Sequence, residues 1–196
     1  VNQIITPGGG NMIEKLSTFL GRIAKGWLAL ILFVVNLALL GDIFPSALRR
    51  LTAFPGSDGF LDSTFFPSAG KIFSAVASYG PDGRFFYATS ILTADILFPI
   101  AYTLFLSLLI TALLRRAFDK DSQLQRLNVI PFSAGLFDLL ENTCIVVLLL
   151  SFPAQSTLAA GVLTFANGFK WIFLGISILT LLLAFGALIV KKIKGT

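Results

Sequence analysis

The chain has 196 residues, 56% of them hydrophobic and only 13% charged, against about 45–50% and about 25% in a soluble globular domain. With 20 Phe, a mean hydropathy of +0.87 and several apolar runs near or beyond the roughly 18 residues of a membrane span, it reads as an all-α, polytopic integral membrane protein. The absence of His excludes His-ligated haem or zinc, Ser-His-Asp and Cys-His catalysis and an imidazole proton relay, and the single Cys144 excludes an intrachain disulfide.

The net charge of +5 lies in short clusters beside apolar segments. It reads as a topology signal, and no nucleic-acid partner is expected. Residues 1–26 comprise a flexible-looking leader, VNQIITPGGGN, and the basic amphipathic stretch MIEKLSTFLGRIAKGW. Met12 is the only Met, so translation is expected to start there or at a non-ATG codon for Val1. The first apolar run is too long for a cleavable signal.

The four-helix transmembrane domain is expected over 27–190. Its first span runs from Trp27 to Pro45, about 28 Å of helix, with Asp42 next to Pro45 as a helix terminator. An outer segment, 46–90, follows and is expected to lie on the membrane surface. Within it a short helix from Pro67 to Tyr79 has Ile72, Phe73, Val76 and Tyr79 on one face and Gly80 at its end. Its rings Phe60, Phe65, Phe66 and Phe73 are too apolar to leave in water and should cover the bundle.

The second span covers Ile91 to Leu114, with a helix that can begin near Asp82 and that Pro99 should kink. The third covers Val129 to Ser151 and the fourth Phe169 to Val190, the apolar stretch Thr157 to Gly168 either lengthening the last helix or forming a re-entrant piece. A basic tail, 191–196, closes the chain. Lys15, Arg22 and Lys25, then Arg115, Arg116, Lys120 and Arg126, then Lys191, Lys192 and Lys194 all fall on one side. The positive-inside rule places that side and both termini in the cytoplasm.

Ionisable groups within spans each cost roughly 2.5 to 3.5 kcal/mol on insertion scales and so need a partner or a function. Measured from each span's cytoplasmic end, Asp138 lies about 14 Å up, Glu141 about 18 Å, Asp42 about 22 Å, Asp95 about 28 Å and Lys170 about 30 Å. Nothing comparable occupies the cytoplasmic half, which favours an outward-opening pocket over a pore. At 100° per residue Arg84, Asp95 and Tyr102 fall within about 20° of one line, with Tyr87 about 60° away. Asp138, Glu141 and Asn142 share a face at i, i+3 and i+4, as do Asn167, Lys170 and Ser177. Asn36 should bond a neighbouring helix.

Arg84, Asp95, Tyr102, Asp138, Glu141, Asn142 and Lys170 are therefore the candidate ligand-binding residues. Asp138 and Glu141, two carboxyls one turn apart, would be the acid/base pair if the protein is an enzyme. In a purely structural alternative Lys170 and Arg84 only neutralise two acids. Oxygen-only ligation suits Mg²⁺, Ca²⁺ or Mn²⁺, but no ligand spacing supports a metal, and no cofactor is expected.

GPDGRFFYATSILTADILFPIAYTLFL, IPFSAGLFDLLENTCIV and the Lys170–Trp171 pair resemble a group of small, uncharacterised four-span bacterial membrane proteins over roughly residues 75 to 175. The resemblance implies a fold, a polar site and a bacterial inner membrane, but no activity. Four-helix sterol isomerase and sigma-2-receptor-like proteins offer an architectural analogy only, and the isomerase's histidine has no counterpart here. The leading expectation is a pocket for a small amphipathic or cationic ligand, including a membrane lipid, in a protein that acts alone, as a homo-oligomer or as an accessory subunit of a membrane complex. A lipid- or isoprenoid-modifying enzyme and a proton-coupled carrier are the alternatives.

Overall fold

The computed structural model describes residues 11–194. The expected leader lies outside it except for Asn11, as do the last two residues of the basic tail. Six helices follow in chain order: α1 (Met12–Ile23), α2 (Gly26–Leu51), α3 (Ala69–Ser78), α4 (Gly80–Ala117), α5 (Ile130–Ser151, entered through a 3₁₀ turn at Gln123–Val129) and α6 (Thr157–Lys194). Four of them, α2, α4, α5 and α6, are long and apolar enough to cross a membrane.

Asn11 caps α1 by accepting the Glu14 N–H at 3.0 Å, and Glu14 and Arg22 complement the two ends of the helix dipole. The helix buries Ser17 and Leu20. Polar contacts tie it to the end of α4 and to the α4–α5 connection: Arg115 donates to the Gly21 carbonyl, and Arg126 pairs with Glu14.

The first membrane helix does not stop at Pro45. A single π turn at Leu39–Ile43 inserts one residue, and α2 continues with Pro45 in the first turn of its next α segment. The wider turn accommodates the N–H that proline lacks. Asp42 therefore ends nothing; it is exposed and accepts from Ser46 at 3.4 Å. The apolar stretch before the fourth span lengthens that helix rather than re-entering, so α6 is continuous over 38 residues.

α5 and α6 pack along each other, α4 packs on both, and α2 leans on α4 alone among the membrane helices apart from minor contacts. The result is a three-helix core with a peripheral fourth helix. At one end of the bundle, the lid end, the segment between α2 and α4 folds back over the core. Ser68 caps α3 by accepting from the Lys71 N–H, and Gly80 ends the turn after it with φ +65. Ile72, Val76 and Tyr79 are buried against Leu51, Leu61, Tyr87, Ile145 and Leu163. The Tyr79 hydroxyl donates to the Gly59 carbonyl at 2.8 Å. Phe60 and Phe73 pack on this core as expected, whereas Phe65 and Phe66 are 58% and 42% exposed. Those two rings stack edge-on upon each other, 4.7 Å between centroids.

Candidate functional site

The inward face of α5 carries Asp138, Glu141 and Asn142, all buried, opposite Lys170 of α6, which is 6% exposed. The Lys170 Nζ lies 2.5 Å from a Glu141 oxygen and 3.8 Å from an Asp138 oxygen. Two carboxyl groups thus share one ammonium, an arrangement that offsets the repulsion an isolated carboxylate pair would suffer in a buried site. Glu141 is further fixed by Asn167, whose amide donates to its other oxygen at 2.8 Å.

α4 supplies the facing wall. Pro99 has no N–H for the carbonyl of Asp95 four residues earlier, and the Asn142 amide donates to that carbonyl at 3.4 Å instead. Close approach of the helices at this level needs Gly135, where a Cβ would run into the Thr103 hydroxyl and the Pro99 carbonyl. Just before it, α4 contains a π turn at Ile91–Asp95. One inserted residue rotates everything beyond it by about 100°. That slip carries Tyr87 onto the line of Asp95 and Tyr102 and turns Arg84 away. Arg84 lies 3.9 Å over the Phe152 ring and donates to the Val76 carbonyl at 3.3 Å. It neither faces the cavity nor neutralises an acid there.

The lid end closes over these groups through Asn167 and its neighbours. The Asn167 side chain accepts the Phe66 N–H at 2.8 Å and donates to the Asp62 carbonyl at 3.1 Å, while Thr164 donates to the Pro67 carbonyl at 2.7 Å. Gly168 leaves room for the Phe66 ring, which a Cβ there would overlap. Asp62 is thereby held over the bundle, where the Tyr87 hydroxyl reaches its carboxylate at 3.3 Å and receives the Leu61 N–H at 3.0 Å.

Between α2, α4, α6 and this lid lies a cavity of about 560 Å³. Asp62, Asp95, Asp138 and Lys170 line it together with Tyr87, Tyr102 and Trp171. Phe33, Phe44, Phe60, Phe98 and Phe105 complete an aromatic wall. Three carboxyl groups face one lysine that Glu141 already engages, so acidic side chains outnumber basic ones in an apolar chamber.

Of the residues expected to bind a ligand, Asp95, Tyr102, Asp138 and Lys170 line the cavity, Glu141 and Asn142 stand behind its wall, and Arg84 is elsewhere. Asp62 is not legible in the sequence, because a loop has no periodicity to read. Asn167 is legible only as a residue on the face of Lys170. Asn36 does not bridge to another helix; its amide donates to Leu32 of its own helix at 2.7 Å, and it lines the cavity. Among the described residues no group of three acidic or thiol side chains could hold a metal.

Fold and site together define an all-α integral membrane protein with four membrane-crossing helices and a lidded acidic chamber between them. Comparison with protein-family models, with curated proteins and with solved structures finds no match.

Proposed function

We propose that the protein binds a small amphipathic cation, with the ammonium among Asp62, Asp95 and Asp138 and the apolar part against the aromatic wall. The observation that carries this reading is the cavity's composition: about 560 Å³, three carboxylates against one already paired lysine, and rings on the remaining sides. Such rings attract a cation through their quadrupoles, more strongly once water is excluded. The volume suits a drug-sized or single-chain ligand. The alternatives are less well supported. Acid/base catalysis calls for both carboxyls at the reacting centre, and a proton-coupled carrier calls for carboxyls free to exchange protons. Glu141 is instead engaged behind the wall by Lys170 and Asn167.

Both termini are assigned to the cytoplasm and the lid to the outside, on the one-sided distribution of the basic residues. Strong labelling of a cysteine introduced beside Arg115 in intact cells would reverse that orientation. For binding, calorimetry in nanodiscs with dodecyltrimethylammonium should give saturable binding that Asp95→Asn weakens about tenfold, or roughly 1.4 kcal/mol. Absence of saturable binding would reject the reading.

A further inference from the structure

The cavity is long as well as acidic. On α2 its lining runs from Phe33 to Ala47, about 21 Å of helix, and toward the Phe33 end no ionisable side chain among the described residues lines it beyond Asp138, beside Tyr102. Near that deep end two polar side chains remain. Asn36 and Tyr102 are each 7% exposed and both line the chamber. The Asn36 amide nitrogen is committed to Leu32, which leaves Oδ1, an acceptor, without a partner. The Tyr102 hydroxyl sits beside Asp138 yet makes no hydrogen bond of acceptable geometry among the described residues.

The two residues are at one level. The rings of Phe33 on α2 and Phe105 on α4 meet at 5.8 Å, and Asn36 and Tyr102 each lie three residues, about 4.5 Å, further toward the lid on these antiparallel helices. A buried polar atom without a partner costs about 1–3 kcal/mol. A pair of them on the wall of one chamber is a built place for a complementary group. An acceptor beside a hydroxyl calls for a neutral group that gives a hydrogen to Asn36 and accepts one from Tyr102: a hydroxyl, or a carboxamide whose N–H donates and whose carbonyl oxygen accepts.

Resting on the reading of the chamber as a cation site, we infer that Asn36 and Tyr102 form a second subsite of uncharged side chains at the inner edge of the acidic groups, next to Asp138. The ligand is then an amphiphile with a cationic head at the Asp62–Asp95 end of the acidic groups and a hydroxyl or carboxamide deeper in its chain. Seven residues separate Asp95 from Tyr102, about 10 Å along α4. In an extended chain this corresponds to about nine bonds from the nitrogen, at roughly 1.2 Å of reach per bond.

The experiment compares dodecyltrimethylammonium with its analogue hydroxylated at that position, by calorimetry in nanodiscs. The hydroxylated probe should bind the native protein about fivefold tighter, the effect of one neutral hydrogen bond. Asn36→Leu and, independently, Tyr102→Phe should each bring the ratio of the two affinities close to one. Equal affinities in the native protein, or a preference that survives both substitutions, would overturn the subsite and leave Asn36 and Tyr102 as partners of each other. If Asp95→Asn weakens both probes while their ratio is one, the cation site stands and the subsite falls. If neither probe binds, both fall.

Discussion

Asn167 donates to the Glu141 carboxylate at 2.8 Å while its other end and the same amide hold the backbone of the lid at Phe66 and Asp62. One fully buried side chain thus joins the buried ion pair to the segment that roofs the cavity. Asn167→Leu should remove all three bonds, leaving Glu141 short of one partner and two lid backbone groups unpaired. At about 1 kcal/mol per neutral bond and more for the charged one, the loss should be roughly 3–4 kcal/mol. Hydrogen exchange should rise across residues 60–67 more than across α3, whose anchor is apolar. A uniform rise, or none, would show that Asn167 does not hold the lid.

Gly168→Ala tests the same lid through packing. Replacing a helical glycine gains up to about 1 kcal/mol of backbone entropy, but the new Cβ would overlap the Phe66 ring. Overpacking costs about 1–3 kcal/mol. Because Phe66 is 42% exposed, its ring can swing aside, which favours the low end. The expected outcome is near-native thermal stability with faster exchange at Phe65 and Phe66. A loss beyond about 3 kcal/mol would mean that the ring cannot move.

The contrast between these residues and Arg84 shows what the sequence made legible. Membrane spans announce themselves through apolar length, and Asp138, Glu141, Asn142 and Lys170 through helical phase, because α5 and α6 are regular over those turns. The same arithmetic aligns Arg84 with Asp95, whereas the Arg84 side chain lies over Phe152. The π turn at Ile91–Asp95 adds a residue that no periodicity reveals. Asp62 reaches the cavity through bonds from Asn167 and Tyr87, contacts over 105 and 25 residues that spacing cannot encode.

Tyr79 provides a pH test outside the membrane spans. Burial, aided by the charges of Asp62 and Asp58, holds its phenol well above the ordinary value. The unfolded chain ionises this tyrosine near pH 10, whereas the folded protein keeps it protonated and bonded to Gly59. The folded state then binds more protons than the unfolded one, so this contribution is complete below about pH 10 and declines as pH rises further. Tyr79→Phe should flatten the alkaline fall in stability, measured by denaturation at a series of pH values. A fall of equal slope in the variant would assign it to other groups.

Lys170 and Glu141 distinguish an ion pair held by mutual need from a carboxylate that merely fills space. Lys170→Met leaves Glu141 and Asp138 facing each other without their cation, and removing one partner of a buried pair typically costs 3–5 kcal/mol. Glu141→Gln should be milder. Its amide keeps a contact to Asn167 after reorientation, and Lys170 retains Asp138 at 3.8 Å. Combining the two substitutions should recover part of the Lys170→Met loss, because only one buried carboxylate then lacks a cation. The double-mutant cycle should accordingly show a coupling of roughly 1–3 kcal/mol in denaturation from mixed micelles. Additive losses would mean that Lys170 serves Asp138 alone, despite the shorter distance to Glu141.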